Sequence, residues 1–205
     1  MSRWKPDARG RLEKAALELY NQQGFDATTV AEIAARAGLT ERTFYRYFAD
    51  KREVLFPGDN PLAAILVDAT ATAPDSFPPL EVVTHALIEA APVFKGREDL
   101  VRQRQTVIAA NPELQERELA KLAALAAALT RVLRERGLDI TTASLAAEIG
   151  IAAFKIAYEH WVNDPDGRPL TQHIRETLDT AGRLTTPEHA AATDNVSFTG
   201  QEGAA

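Results

Sequence analysis

In the stretch TERTFYRYFADK, Arg42 and Arg46 bracket Thr43 and Tyr45, Tyr47 follows, and Lys51 closes the segment. Guanidinium forks, phenols, a hydroxyl and an ammonium at this density suit the recognition of anions and of polar edges. An arginine can donate two parallel N–H bonds to a phosphate or to a guanine edge, and Glu41 can accept from cytosine N4. The same stretch also holds four aromatic rings, too apolar for a surface and too charged for a core. A helix resolves the conflict. A turn of about 100° per residue puts Phe44 and Phe48 together on one side and Arg42, Thr43 and Arg46 opposite, with Tyr45 and Tyr47 on the flanks. There a phenol can pack its ring and expose its hydroxyl.

Other chemistries find little support. The four histidines, His85, His160, His173 and His189, show no HExxH or comparable ligand spacing. His160 and Asp164 stand four apart, a spacing more common at helix ends than at metal sites, and Glu159 points to a different helix face from His160. No glycine-rich phosphate loop and no GxSxG motif is present, and the chain has no cysteine, which removes disulfides and thiolate chemistry. The reading is of a protein that is not an enzyme and carries neither metal nor cofactor.

The elements that would position these residues are helical. Apolar residues recur at spacings of three and four through the 205 residues. The net charge of −6 is uneven: residues 1–56 hold ten Lys and Arg against eight Asp and Glu, and the remainder thirteen against twenty-one. Apolar runs fall short of a membrane span and the N-terminus lacks the apolar core of a signal peptide, so a soluble cytoplasmic protein with no membrane partner is expected. A first helix should span about 7–22, ending at Gly24. Thr29 and Glu32 form a capping box for a second, short helix that ends at Gly38. Thr40 caps a third, with Gly38 free to adopt the positive φ of the turn, which is the helix-turn-helix pattern. A fourth helix is expected to begin at Lys51 and to break at PGDNP, residues 57–61. Further helices are read over 61–72, 79–95, 97–110, 112–136, 141–163 and 169–185, with a polar, disordered tail from 187. This gives an all-α fold of about nine helices: a helix-turn-helix unit over 1–56, a larger helical unit over 57–186, and the tail 187–205.

The small residues Ala146, Gly150, Ala153 and Ala157 repeat along one face, and Ile174, Leu178 and Ala181 fall on one face of the last helix. That pattern fits either intrachain core or a helix pair that packs against its copy as a four-helix bundle.

The span GFDATTVAEIAARAGLTERTFYRYFADKREVLF, residues 24–56, resembles the N-terminal DNA-binding domain of the tetracycline-repressor (TetR) family. The resemblance rests on Gly24-Phe25, Thr28-Thr29-Val30, Ile33-Ala34, Ala37-Gly38-Leu39, Thr43-Phe44-Tyr45, Tyr47-Phe48 and Lys51 followed by Leu55. With the first helix it covers about a quarter of the chain. Two departures stand out: Tyr47, where many members carry histidine, and the Pro57-Gly58 break, a candidate signalling hinge or a plain connector. The resemblance implies a homodimeric repressor that binds a palindromic operator in double-stranded DNA and releases it when a small-molecule effector enters the second domain. Glu41, Arg42, Thr43 and Arg46 would face bases, and Thr29, Tyr45, Tyr47 and Lys51 would meet phosphates. It also favours the dimer reading for residues 146–157. The effector pocket would lie among the middle helices, with Leu66, His85, Glu89, Phe94, Gln105, Phe154, Tyr158 and Trp161 as candidates. The alternatives are a helical DNA-binding protein without a ligand, or a helical enzyme or small-molecule carrier.

Overall fold

The computed structural model describes residues 7–56 and 61–184. The Pro57-Gly58 break and the tail from 187 therefore lie outside the described residues. Asp7 opens α1 (Ala8–Gln23) by accepting the Gly10 N–H at 2.8 Å, and Gly24, at φ 90°, closes it. At α2 (Val30–Arg36) the Thr29–Glu32 capping box forms reciprocally. The Thr29 N–H and hydroxyl both reach the Glu32 carboxylate at 2.8 Å and hold it below the usual carboxylate range. Gly38, at φ 66°, then turns the chain into α3 (Glu41–Tyr47), where Thr40 accepts the Thr43 N–H.

The helix expected from Lys51 is absent. Residues 49–56 form successive turns, with Leu55 N–H bonded to Arg52 O and Phe56 N–H to Glu53 O. The physical reason is burial. Val54, Leu55 and Phe56 are consecutive and all buried, whereas a single helix face would leave one of them in water.

The second unit contains α4 (Pro61–Thr72), α5 (Pro79–Ala90), α6 (Glu98–Ala109), α7 (Pro112–Glu135), α8 (Ile140–Val162) and α9 (Leu170–Leu184). The predicted 79–95 helix ends at Ala90 and tightens into a 3-10 turn over Ala91–Phe94. Pro92, without an N–H, fits that exit from the α-helical ladder. The described residues thus contain nine α-helices and no strand.

Two apolar cores organise these helices. The first joins α1, α2, α3 and the 54–56 turn to Val107 and Ile108 of α6 and Leu114 of α7, so the N-terminal unit is seated on the α6–α7 corner. The second centres on α8, which packs against α5, α7 and α9. By length and composition α8 could cross a membrane; here it is the central helix of this core. A Cβ at Gly150 would meet Val83 Cγ1 at 2.2 Å, so α5 approaches α8 there as only glycine allows.

That approach corrects the interface expectation. Ala146, Gly150, Ala153, Ala157, Ile174 and Leu178 are buried against their own chain, and only Ala181 is partly exposed. The exposed apolar face of α8 lies one residue away, at Leu145, Ile149, Ala152 and Ile156, with Leu145 57 % exposed.

Candidate nucleic-acid interface and ligand cavity

On α3 the predicted division of the aromatic run is present. Phe44 is fully buried and Phe48 nearly so, their ring centroids 5.4 Å apart, and each contributes about 1.5–3 kcal/mol by leaving water. Glu41, Arg42, Tyr45, Arg46 and Tyr47 are exposed on the other side, with Thr43 half-buried at its edge. Tyr45 stands edge-on to Phe44 at 5.5 Å yet remains 56 % exposed. The Arg46 guanidinium lies 4.8 Å from the centre of the Tyr47 ring and donates to the Tyr47 hydroxyl at 3.0 Å. Stacking fixes the direction of that fork before any partner arrives.

Two of the expected phosphate contacts have other work within the chain. Lys51 Nζ donates to the carbonyls of Phe25, Asp26 and Thr28 at 2.8, 3.0 and 3.0 Å and sits 4.5 Å from the Phe25 ring centre. An ammonium has three protons, and in this structure Lys51 uses them to tie the α1–α2 turn. Its own carbonyl accepts from the Tyr20 hydroxyl at 2.6 Å, and burial pushes that phenol well above its ordinary value. Thr29 is exposed, but its hydroxyl already belongs to the capping box.

A cavity of about 1220 Å³ lies where the N-terminal unit meets the second one, walled by α1, the 54–56 turn, α4, α6, α7 and α8. Phe94, Gln105, Phe154 and Tyr158, four of the residues named as effector-pocket candidates, are among its lining. Phe94 packs against Phe154 at 6.3 Å and Tyr158 at 5.4 Å. The other expected residues are not among its lining. Trp161 packs against Phe94 and Tyr158, at 6.1 and 5.8 Å, and Leu66 is in the second core. His85 stands edge-on to Phe77 in a separate groove beside α9, and Glu89 is exposed. Among the described residues no group of three potential ligands could hold a metal ion.

Sequence reasoning passed over the charged end of the cavity. Arg104 of α6 and Arg117 and Lys121 of α7 line it together with Glu118 and Phe56. Arg104 donates to Glu118 at 2.9 Å, and its guanidinium carbon lies 4.9 Å from the Phe56 ring centre. Burial, then the Arg117 and Arg104 charges, pull the Lys121 ammonium below its ordinary value. Burial likewise raises the Tyr158 phenol above its ordinary value. The available signal was the four-residue step from Arg117 to Lys121, which puts two cations on one face of α7.

An exposed cationic helix after a glycine turn, together with a largely apolar cavity among the described helices, fits a helix-turn-helix regulator with a ligand-binding domain. The sequence model for bacterial regulatory proteins of the tetR family matches residues 12–56, and that for the MftR C-terminal domain matches residues 77–184. The chain belongs to the TetR family of transcriptional regulators, which are not enzymes. It is 27 % identical over 175 residues to a putative mycofactocin biosynthesis transcriptional regulator, MftR, of Mycobacterium tuberculosis, covering 83 % of this chain and 87 % of that one. It is 35 % identical over 78 residues to the regulator TcmR of Streptomyces glaucescens, covering 38 % of this chain and 34 % of the relative. Among solved structures, FadR of Thermus thermophilus in complex with lauroyl-CoA superposes with a TM-score of 0.55 at 24 % identity, covering 87 % of this chain and 95 % of that one. The SmeT–triclosan complex gives 0.61 at 21 %, with 86 % and 90 % covered. SmeT is the repressor of a Stenotrophomonas maltophilia multidrug efflux pump.

Proposed function

We propose that this regulator is a cytoplasmic homodimeric repressor of a palindromic operator, released by a small molecule in the cavity. The observation that carries the reading is the outward face of α3. Arg42, Tyr45 and Arg46 are exposed on a helix whose opposite side is anchored by Phe44 and Phe48. Residues 1–56 act as the DNA-binding domain and 57–186 as the effector and dimerisation domain. Glu41, Arg42, Thr43 and Arg46 face bases; Tyr45 and Tyr47 meet the backbone, with the phosphate role of Thr29 confined to its exposed N-terminal position on α2.

The dimer forms through the exposed face of α8, at Leu145, Ile149, Ala152 and Ile156, together with Ala181 and Leu184 of α9. An unpaired apolar helix face of this kind gains stability by meeting its copy. The cavity, aromatic and aliphatic along most of its wall and cationic at Arg104, Arg117 and Lys121, fits an effector with an apolar body and an anionic end. That character is compatible with the lauroyl-CoA held by the FadR neighbour.

Selection of bound sequences from random duplex DNA tests the reading. The expected product is a palindrome with half-site centres one helical turn, about 34 Å, or a multiple of it apart. Recovery of no sequence preference would overturn it.

A further inference from the structure

The reading as an effector-released regulator leaves open how a molecule in the cavity reaches α3. Leu55 and Phe56 are the last described residues of the N-terminal unit, and their side chains are buried in its core. Their carbonyls are held from the other side. Arg104 Nε of α6 donates to Leu55 O at 2.8 Å, and Lys121 Nζ of α7 donates to Phe56 O at 2.8 Å. Two guanidiniums lie over the Phe56 ring, Arg104 at 4.9 Å and Arg117 at 5.8 Å from its centre, and Arg117 also pairs with Glu53. The three cations that grip this turn are the three at the charged end of the cavity.

We propose that Phe56 is the element that reports cavity occupancy to the recognition helix. Arg104 and Lys121 hold it in the DNA-competent position, and a ligand that draws those cations onto itself lets it go. The clamp has unused hydrogen-bonding capacity, because Arg117 Nε and Gln105 Oε1 are buried at the same end of the cavity without a hydrogen-bond partner in the described chain. A ligand carrying an acceptor and a donor gains pairings there that the closed clamp does not make. That gain is the differential affinity a ligand needs to shift a two-state element. Tyr158 continues the lining into the aromatic wall, packed against Phe94 and Phe154. Release is transmitted because the 49–56 turns are tied to the α1–α2 turn through Lys51 and to α1 through the Tyr20 hydroxyl.

The test uses the full chain and needs no ligand. Lys121→Met keeps the aliphatic stem and removes the bond to Phe56; Arg104→Lys removes the fork over its ring. Both are compared with Lys121→Arg, which can still donate to the Phe56 carbonyl, and with Arg131→Met on the exposed face of α7. Amide exchange of residues 52–56 and affinity for the selected operator are measured on samples whose circular dichroism matches wild type. Lys121→Met and Arg104→Lys should each speed exchange there and weaken operator binding by about tenfold. Lys121→Arg should restore both properties, and Arg131→Met should change neither. Faster exchange with unchanged operator affinity would overturn the proposal by reducing the clamp to a structural seam, and so would wild-type behaviour in both measurements. Failure of the wild-type chain to bind any operator would instead overturn the regulator reading, while exchange at 52–56 would still decide whether the clamp holds.

Discussion

The ammonium of Lys51 stands 2.8 Å from the carbonyl oxygen of Phe25 and 4.5 Å from the centre of the same residue's ring. One side chain thus closes the turn between α1 and α2 by hydrogen bonding and covers its aromatic plug. Lys51→Met should therefore lower stability by about 2–3 kcal/mol, the worth of charged hydrogen bonds lost against partly exposed carbonyls. The slope of operator affinity against salt should stay as in wild type. A slope reduced by about one, with unchanged thermal stability, would return Lys51 to the phosphate backbone.

Arg42 should behave in the opposite way. Arg42→Ala leaves the melting temperature near that of wild type and costs about 1–3 kcal/mol of operator affinity, with relaxed preference at one base position. Repeating the selection with the variant shows whether a single position in each half-site loses its preference. Tyr45→Phe should weaken binding evenly across sequences, because a phosphate contact carries no base information.

On α8 two neighbouring positions should fail differently. Ile149 is 39 % exposed and Ala153 is buried. Ile149→Arg should give a folded monomer in sedimentation with poor operator binding, whereas Ala153→Arg should unfold the chain by placing a charge in the core. A dimeric Ile149→Arg variant would remove the proposed interface.

Gly150 should report the closeness of α5. Gly150→Ala puts a methyl against Val83 and should cost about 1–3 kcal/mol by overpacking, with partial recovery when combined with Val83→Ala. Additive losses in denaturant titrations of the two single variants and the double variant would show that the new methyl does not press on Val83.

The turn between α8 and α9 carries an acid-sensitive contribution to stability. Asp164 accepts the Asp166 N–H at 2.8 Å, Arg168 Nε at 2.8 Å and pairs with His173 Nε2 at 2.7 Å. The Asp166 backbone bond first, then the Arg168 and His173 bonds, hold its carboxyl below the usual range. A depressed carboxyl stabilises the fold above its unfolded value, about 3.9, and that contribution is lost as pH falls through the folded value. Asp164→Asn should therefore flatten the acid side of a melting-temperature profile; parallel profiles would show that the cluster contributes no such term.

The recognition helix was legible because it is local. Capping residues, a glycine turn and helical phase within residues 29–48 suffice to sort Phe44 and Phe48 from Arg42 and Arg46. The 51–56 segment misled because KREVLF looks helical by composition, while its three consecutive apolar residues are buried through contacts with α6 and α7 distant in sequence. The α8 stripe has the spacing of a close helix approach, and within the chain that approach is to α5. A repeat of small residues marks close approach but not whether the approaching helix is α5 or another chain. The charged end of the cavity is only half legible for a related reason: Arg117 and Lys121 share one face of α7, but Arg104 is on α6 and joins them only when the two helices fold back on Phe56.

The exposed α8 face formed by Leu145, Ile149, Ala152 and Ile156 also makes protein abundance a variable of the fold. In the proposed dimer, mass action links folding to association, so the melting temperature should climb as the sample is concentrated. In the dilute regime the population of paired recognition helices rises with the square of total chain, so a modest change in cellular dose would move operator occupancy more steeply than it moves the protein itself.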